Sequence, residues 1–511
     1  MELLNACHYL LDRRLEAGEG DRVAFQQGQE QVTYAELAGR VGQVANALRS
    51  IRVRPEERVP LVMLDGVDWV VSFLAALRVG AVPVPMSTML TGAELAFQCN
   101  DARARVAIAS GALGQAVKEM VTASDELEDL VVAGNGETEV GVGGVRVHRF
   151  DDWAGGQPTE APQYATWPDS PAFWLYTSGT TGKPKAAMHR HVDLPYTAET
   201  YGQQVLGITP SDRCYSMAKL FFAYGLGNSL TFPMSVGART ILDPGRPTPR
   251  GVAAAVAEHR PTLFFAVPTF YAAVLAADLP ADAFSSVRLA VSAGEPLPAG
   301  LYHRFKERFG VDILDGIGTT EALHIFISNR PDDIRPGTTG SVVPGYQVRL
   351  VDDQGQPVAD GESGHLLVAG ESVATGYWCR TATNRRTFEG PWLRTGDVYS
   401  RSDEVFTYAG RSDDMIKAGG IWVSPAEVEA TLVQHPDVQE VAVVGRRTPE
   451  GLHEPAAFVV RLPGRNPSPP ELVEFCRERL AGFKRPRQVI FLDDLPKTAT
   501  GKIQRYKLRD D

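Results

Sequence analysis

The feature that most constrains the fold is a repeated alternation of short apolar runs with amphipathic segments of helical period. Residues 33–51 set Leu37, Val41, Val44, Ala45 and Leu48 on one helical face. The apolar run 58–64 follows, then a helix over 69–79, then the run 81–86. The same grammar returns further on. Apolar runs at 262–267 and 287–292 end in Pro268 and in Ala293-Gly-Glu-Pro296. A helix with Pro298 in its first turn stops before Gly310 and carries Tyr302, Phe305 and Phe309 on one side. The strand 311–314 then leads into Asp315-Gly-Ile-Gly-Thr-Thr-Glu321. Buried strands alternating with helices predict an α/β fold, with parallel sheets covered by helices on both faces. Ligands of such sheets bind beyond the carboxyl ends of the strands, so polar residues after the runs are the first candidates for chemistry. The Gly-rich stretch 132–145 reads as a surface connection.

From residue 424 the pattern changes. Ser424-Pro-Ala-Glu427 is a capping box that opens a helix to about 434. Strands at 440–444 and 456–460, a helix at 471–480 and a strand at 488–492 complete a small α+β unit. The joining segment, Gly410-Arg-Ser-Asp-Asp-Met-Ile-Lys-Ala-Gly-Gly420, is polar and suits a hinge or a tight loop. A chain of 511 residues exceeds one compact core, and length alone implies about two to four domains.

Composition narrows the partners. The net charge is −11, from 51 basic and 62 acidic residues, which does not fit a broad nucleic-acid surface. Cys7, Cys99, Cys214, Cys379 and Cys476 are scattered, with no zinc spacing, as expected of reduced thiols in the cytoplasm. No apolar run reaches the roughly 18 residues of a membrane helix, and residues 1–14 lack the pattern of a secretion signal.

The clearest chemical segment is Tyr176-Thr-Ser-Gly-Thr-Thr-Gly-Lys-Pro-Lys185, after the apolar Phe173-Trp-Leu175. Glycines let backbone amides approach oxygens, hydroxyls donate, and lysine adds charge, a combination that suits polyphosphate. A Walker A loop is excluded, because Thr177 and Pro184 stand where glycine and Ser/Thr are required. With Gly318-Thr-Thr-Glu321, Arg394-Thr-Gly-Asp397, Gly410-Arg-Ser-Asp-Asp-Met-Ile416 with Gly419-Gly420, and Pro496-Lys-Thr-Ala-Thr-Gly-Lys-Ile-Gln-Arg505, five ordered segments span the chain. In these the chain resembles the adenylate-forming superfamily of acyl-CoA synthetases, peptide-synthetase adenylation domains and luciferases. Lysine is scarce, 10 against 41 arginines, and Lys183, Lys185, Lys417, Lys497 and Lys502 fall in these segments. Such positions call for a compact ammonium rather than a planar fork.

The resemblance implies two half-reactions. A carboxylate attacks the α-phosphate of ATP to give an acyl-adenylate and pyrophosphate, and a thiol, usually coenzyme A, then displaces AMP. It implies a large N-terminal domain, 1–412, with the ATP and acid sites, and a small mobile C-terminal domain, 413–511, swinging about Asp413. By motif, Thr177, Ser178, Gly179, Thr180, Thr181 and Lys183 wrap the phosphates. Thr320 donates to the α-phosphate and Glu321 holds Mg²⁺. Gly294, Glu295, Asp315 and Gly316 border the adenine. Asp397, helped by Arg411, takes the ribose hydroxyls. Lys502 bridges the acid and the α-phosphate, and Gly419 and Gly420 line the coenzyme A tunnel.

Lys219-Leu-Phe-Phe-Ala-Tyr-Gly-Leu-Gly227 and Leu323-His-Ile-Phe326 resemble the acyl pockets of benzoate-CoA ligases and their hydroxybenzoate relatives. Phe222, Ala223 and Tyr224 make a flat wall suited to a ring, Ile317 and Gly318 adjoin it, and His324 faces a ring substituent. No acidic residue in these stretches awaits an amino-acid ammonium. The expected activity is an ATP-dependent aryl-CoA ligase for benzoate or a substituted benzoate. One competitor is a stand-alone aryl-acid adenylating enzyme that loads a carrier protein. A more distant one is a non-catalytic nucleotide-binding protein, which has no need of Lys502.

Overall fold

The computed structural model describes residues 2–135, 144–178, 184–412, 414–418, 421–447, 453–480, 482, 484–497 and 503–509. It has a large N-terminal domain built on parallel sheets and a smaller C-terminal domain. The larger sheet runs Ser341–Val342, Ile325–Ser328, Ile313–Gly318, Leu289–Ala293, Leu263–Ala266, Arg213–Ser216, Arg239–Leu242, Val23–Gln27, Glu30–Thr33. Its interior strands are parallel, and antiparallel strands close both edges. A second, all-parallel sheet runs Val82–Pro85, Arg58–Val62, Val106–Ser110, Asp129–Ala133, Arg146–Arg149.

Local sequence accounts for many elements. Thr33 and Glu36 form a reciprocal cap on the helix Tyr34–Ser50, whose buried face includes Leu37, Val41, Val44, Ala45 and Leu48. The helix Val67–Arg78 is buried on nearly every side, consistent with its continuous apolar sequence. The helix Ala299–Phe309 ends at Gly310 with φ +72°, a left-handed cap. Each large apolar side chain so buried contributes about 1.5–3 kcal/mol.

Three expectations need correction. The connection expected over 132–145 starts later, because Val132 and Ala133 end the strand Asp129–Ala133, which pairs with Arg146–Arg149; residues 136–143 lie outside the described residues. Arg146 and His148 both reach the buried Asp129 carboxylate. The strand expected at 311–314 runs instead over Ile313–Gly318, because Asp315 and Gly316 pair with Ser292 and Ala293 and Gly316–Gly318 pair with Ile325–Ser328. The capping box at Ser424 is half made: Ser424 accepts from the Glu427 amide, but the Glu427 carboxylate pairs with Lys484.

An antiparallel sheet built on Gln347–Val351, Ser363–Ala369, Trp392–Ser402 and Val405–Arg411 lies between the two parts in sequence. The C-terminal part sets Val438–Arg447, His453–Arg461 and Gln488–Phe491 against the helices Pro425–Leu432 and Pro469–Arg477. Its core includes Val428, Leu432, Val443, Val459 and Leu472. Among the described residues no helix is long and apolar enough to cross a membrane.

Candidate active site

The hairpin Pro171–Ser178 and Pro184–Arg190 sets Thr177 opposite Lys185 at the mouth of the glycine-rich loop. Gly179, Thr180, Thr181 and Lys183 lie outside the described residues, as do Asp413, Gly419, Gly420 and Lys502. For Ser178 only the backbone is described.

The strand Ile313–Gly318 delivers the Thr-Thr-Glu segment. The Thr319 hydroxyl accepts from the Ala322 amide and caps a tight turn over Thr320–Ala322. Two glycines are sterically required here. A Cβ on Gly318 would lie 2.5 Å from the His324 carbonyl oxygen, and one on Gly316 would lie 2.8 Å from Ile325 Cγ2. Glu321 is half-buried, and its Oε1 accepts from the Tyr377 hydroxyl at 2.5 Å. The Lys185 ammonium stands 4.5 Å from the centre of the same Tyr377 ring. Burial lowers the Lys185 pKa, and the Glu321 carboxylate opposes that shift. Lys185, Tyr377 and Glu321 therefore form one cluster beside the loop. Tyr377 was not foreseen. It stands 56 residues from Glu321 in the chain, and no local pattern marks it.

Asp397 and Arg411 stand directly opposite on paired strands, with Arg411 Nη1 3.0 Å from Asp397 Oδ1. The Asp397 carboxylate raises the Arg411 pKa. At the ends of the parallel strands, Gly294 follows Leu289–Ala293 with φ +90°, and Glu295 comes next. Asp315 lies one strand over, paired with Ser292. Burial raises the Asp315 pKa well above the carboxylate range, and its Oδ1 has no hydrogen-bond partner. Ser292 Oγ is likewise unpartnered. Both are buried polar atoms of the kind that bond to a ligand or to water.

The acyl segment begins at Phe222, the N-cap of a short helix Ala223–Leu226. The Tyr224 hydroxyl donates to the Val291 carbonyl at 3.1 Å, which anchors its ring at the strand ends. The His324 ring lies 5.6 Å from Tyr224 and edge-on to Phe232 at 4.5 Å. Burial lowers its pKa to about 3, so the ring is neutral. Nε2 donates to Asn228 Oδ1 at 3.2 Å, and Nδ1 keeps a lone pair with no partner. Ile317 packs in the same cluster as Tyr224. Tyr224, Ile317, Gly318 and His324 thus converge. Phe222 instead rests edge-on against Phe221 at 4.6 Å, and Ala223 packs against a core that includes residues of both sheets. The loop is braced from behind. Asp65 accepts from the Leu220 amide at 3.0 Å, Lys219 binds the Asp243 and Gly245 carbonyls, and a Cβ on Gly225 would meet the Lys219 carbonyl oxygen at 2.0 Å.

Comparison with known proteins agrees with this geometry. Residues 11–378 match the AMP-binding enzyme family, and 427–502 match the AMP-binding enzyme C-terminal domain. The chain is 44% identical to a benzoate–CoA ligase of Thauera aromatica, covering 99% of this chain and 96% of that protein. It is 36% identical to a p-hydroxybenzoic acid–AMP ligase of Mycobacterium marinum, covering 99% of this chain and 69% of that protein. A benzoate CoA ligase from Burkholderia xenovorans LB400 superposes with a TM-score of 0.91 at 46% identity, over 99% of this chain and 100% of the other. An anthranilate CoA ligase solved with anthranoyl-AMP gives 0.93 at 43% identity, over 99% and 97%. The chain belongs to the AMP-binding enzyme family.

Proposed function

We propose that this protein is an ATP-dependent aryl-CoA ligase. It activates benzoate or a substituted benzoate as an acyl-adenylate and transfers the acyl group to coenzyme A, with release of AMP and pyrophosphate. What carries the reading is the convergence of Thr320 and Glu321 with Tyr224, Ile317 and His324 at one end of the larger sheet. The full-length likeness to benzoate and anthranilate ligases supports it.

Two steps are needed because a carboxylate repels nucleophiles and has no good leaving group. Adenylation supplies one. The protein aligns two anions and offsets their repulsion. The unpartnered Asp315 Oδ1 receives the adenine amine, beside Gly294, Glu295 and Gly316. Asp397, steadied by Arg411, accepts the ribose hydroxyls. The loop from Thr177 to Lys183 wraps the β- and γ-phosphates, and the Thr320 hydroxyl donates to the α-phosphate. Lys502 supplies the ammonium between the two anions. The division falls at 412/413, and the C-terminal domain turns about Asp413 to exchange Lys502 for Gly419 and Gly420 before thiol attack.

Glu321 fits Mg²⁺. Tyr377 holds one carboxylate oxygen, and among the described residues no group of three or more His, Cys, Asp or Glu forms a protein-only cage. Such a site matches an ion shared with phosphate oxygens and water. When bound, the ion withdraws negative charge from the phosphates. His324 Nδ1 offers an acceptor to a ring hydroxyl or amine. The buried Cys7, Cys99, Cys214 and Cys476, with no disulfide among the described residues, suit a reducing cytoplasm.

The likeness to a p-hydroxybenzoic acid–AMP ligase favours a second reading, in which a carrier-bound thiol is the acceptor. One assay separates them. Benzoate, hydroxybenzoates, aminobenzoates and octanoate are offered with ATP and coenzyme A, and AMP release is followed. Aryl-CoA should accumulate without any carrier. A stalled adenylate supports the second reading, and a preference for octanoate overturns both.

A further inference from the structure

The strand that leaves the phosphate loop, Pro184–Arg190, carries His189 opposite Phe173, and the two rings stack at 4.9 Å with 13° between planes. The His189 and Asp193 side chains are fully buried. Nδ1 lies 2.9 Å from Asp193 Oδ2, and Nε2 lies 2.9 Å from the backbone carbonyl oxygen of Thr320, 131 residues along the chain. Asp193 is itself held by the Arg190 amide and Nε at 3.1 and 3.2 Å. A carbonyl and a carboxylate both accept. Each ring nitrogen thus faces one oxygen, Nδ1 on Asp193 and Nε2 on the Thr320 backbone.

A turn as short as Thr320–Ala322 has little strength of its own. Its carbonyls are gripped from outside: Thr320 by His189, Glu321 by the Ala374 amide at 2.8 Å, and Ala322 by the Ser372 hydroxyl at 2.8 Å. Of these grips, the His189 bond comes from the phosphate-loop hairpin. An apolar residue could fill the same space and stabilise the core as well or better, because a buried ion pair is a weak source of stability. It could not hold the Thr320 carbonyl.

We infer that His189 is a positioning residue that locks the phosphate-loop hairpin to the Thr320–Glu321 turn and thereby sets the geometry of adenylation. The inference rests on the reading of Thr320 as the α-phosphate donor. Two substitutions split the two bonds of the ring. In His189→Gln the amide reaches about as far as Nε2 and keeps a donor on Thr320. In His189→Asn it reaches only as far as Nδ1, keeping Asp193 and losing Thr320.

The test measures each half-reaction in the full-length enzyme: pyrophosphate release from ATP and benzoate, and benzoyl-CoA formation from pre-made benzoyl-adenylate. His189→Asn should slow adenylation about tenfold to a hundredfold, the loss expected from misplacing reacting groups by about an ångström. Its KM for benzoate and its thioester step should stay near the parent's. His189→Gln should recover most of the rate. Combined with Thr320→Ala, His189→Asn should add little further loss, because both changes break one unit. Equal losses in Gln and Asn variants of matched melting temperature, or additive losses with Thr320→Ala, overturn the inference while leaving the aryl-CoA ligase intact. A Thr320→Ala variant with full adenylation activity overturns it together with the reading of Thr320 beneath it.

Discussion

In the larger sheet, Arg213–Ser216 lies between Arg239–Leu242 and Leu263–Ala266; in the smaller one, Arg58–Val62 lies between Val82–Pro85 and Val106–Ser110. The chain thus winds the same order twice, with a point in each sheet where successive connections diverge. Such points are where open α/β sheets bind ligands. Yet the polar groups at the two sets of strand ends are treated differently. In the smaller sheet they are taken by protein: the Leu64 amide by Ser110 Oγ, the Val67 amide by Gln27, and the Asp65 carboxylate by the Leu220 amide. In the larger sheet Ser292 Oγ, Asp315 Oδ1 and His324 Nδ1 are buried without partners. Topology offers a crevice, and unpartnered groups turn it into a site. The smaller crevice instead braces the loop that leads to Tyr224.

A matched pair of isosteric changes tests this contrast hardest. Glu321→Gln keeps the acceptor for Tyr377 and removes only charge. Adenylation should fall about 10²–10³-fold, the size of a lost preorganised electrostatic contact. Asp65→Asn, the same chemical change in the smaller crevice, should leave kcat within about twofold. Single-turnover pyrophosphate release compares the two. Similar losses in both variants would erase the distinction.

Ala223→Leu sharpens the contrast from the pocket side. Ala223 sits between Phe222 and Tyr224 but packs against a core that includes residues of both sheets. Overpacking there costs about 1–3 kcal/mol, or roughly tenfold to a hundredfold in kcat/KM. Substituted benzoates should suffer most. Uniform selectivity across the panel would mean that Ala223 belongs to the scaffold alone.

The outcome at Ala223 bears on what was legible in the chain. Elements whose determinants lie close together were readable: the Leu37, Val41, Val44 and Leu48 face, the Tyr302, Phe305 and Phe309 face, and Gly310. Those decided by distant partners were not. Glu427 leaves its own capping box for Lys484, and the strand Ile313–Gly318 runs past Leu314 because Leu289–Ala293 and Ile325–Ser328 pair with it from either side. In the site, Tyr224 and His324 converge as their motifs implied, whereas Phe222 turns to Phe221. Tyr377, Asn228 and the brace from Asp65 to Leu220 escaped notice, because each acts through a residue remote in sequence.

A smaller effect is expected from Asp65→Ala. It leaves the Leu220 amide buried without its acceptor, a cost of about 1–3 kcal/mol. The strain falls on the acid loop, so KM for benzoate should rise up to about tenfold while KM for ATP holds. A rise in KM for ATP instead would place the brace under the nucleotide.

The smallest effect is one of pH. Burial pushes the Asp65 carboxyl up from 3.8 to about 7. The fold therefore favours its protonated form. That contribution is fully present below about pH 4, where the unfolded chain is also protonated, and is lost as pH rises through about 7. Asp65→Asn suffers no such loss. It should melt above the parent at pH 8, with a gap that closes toward pH 4. A constant gap, read by calorimetry across that range, would assign it to something other than this carboxyl.

Gly225 draws out a consequence for how such an enzyme diversifies. With a side-chain carbon there meeting the Lys219 carbonyl oxygen at 2.0 Å, the loop's backbone has one way to close. Its skeleton is thereby held at Gly225, and the Tyr224 hydroxyl is held in turn by the Val291 carbonyl. Side chains beside Gly225 can be exchanged without altering how that backbone closes.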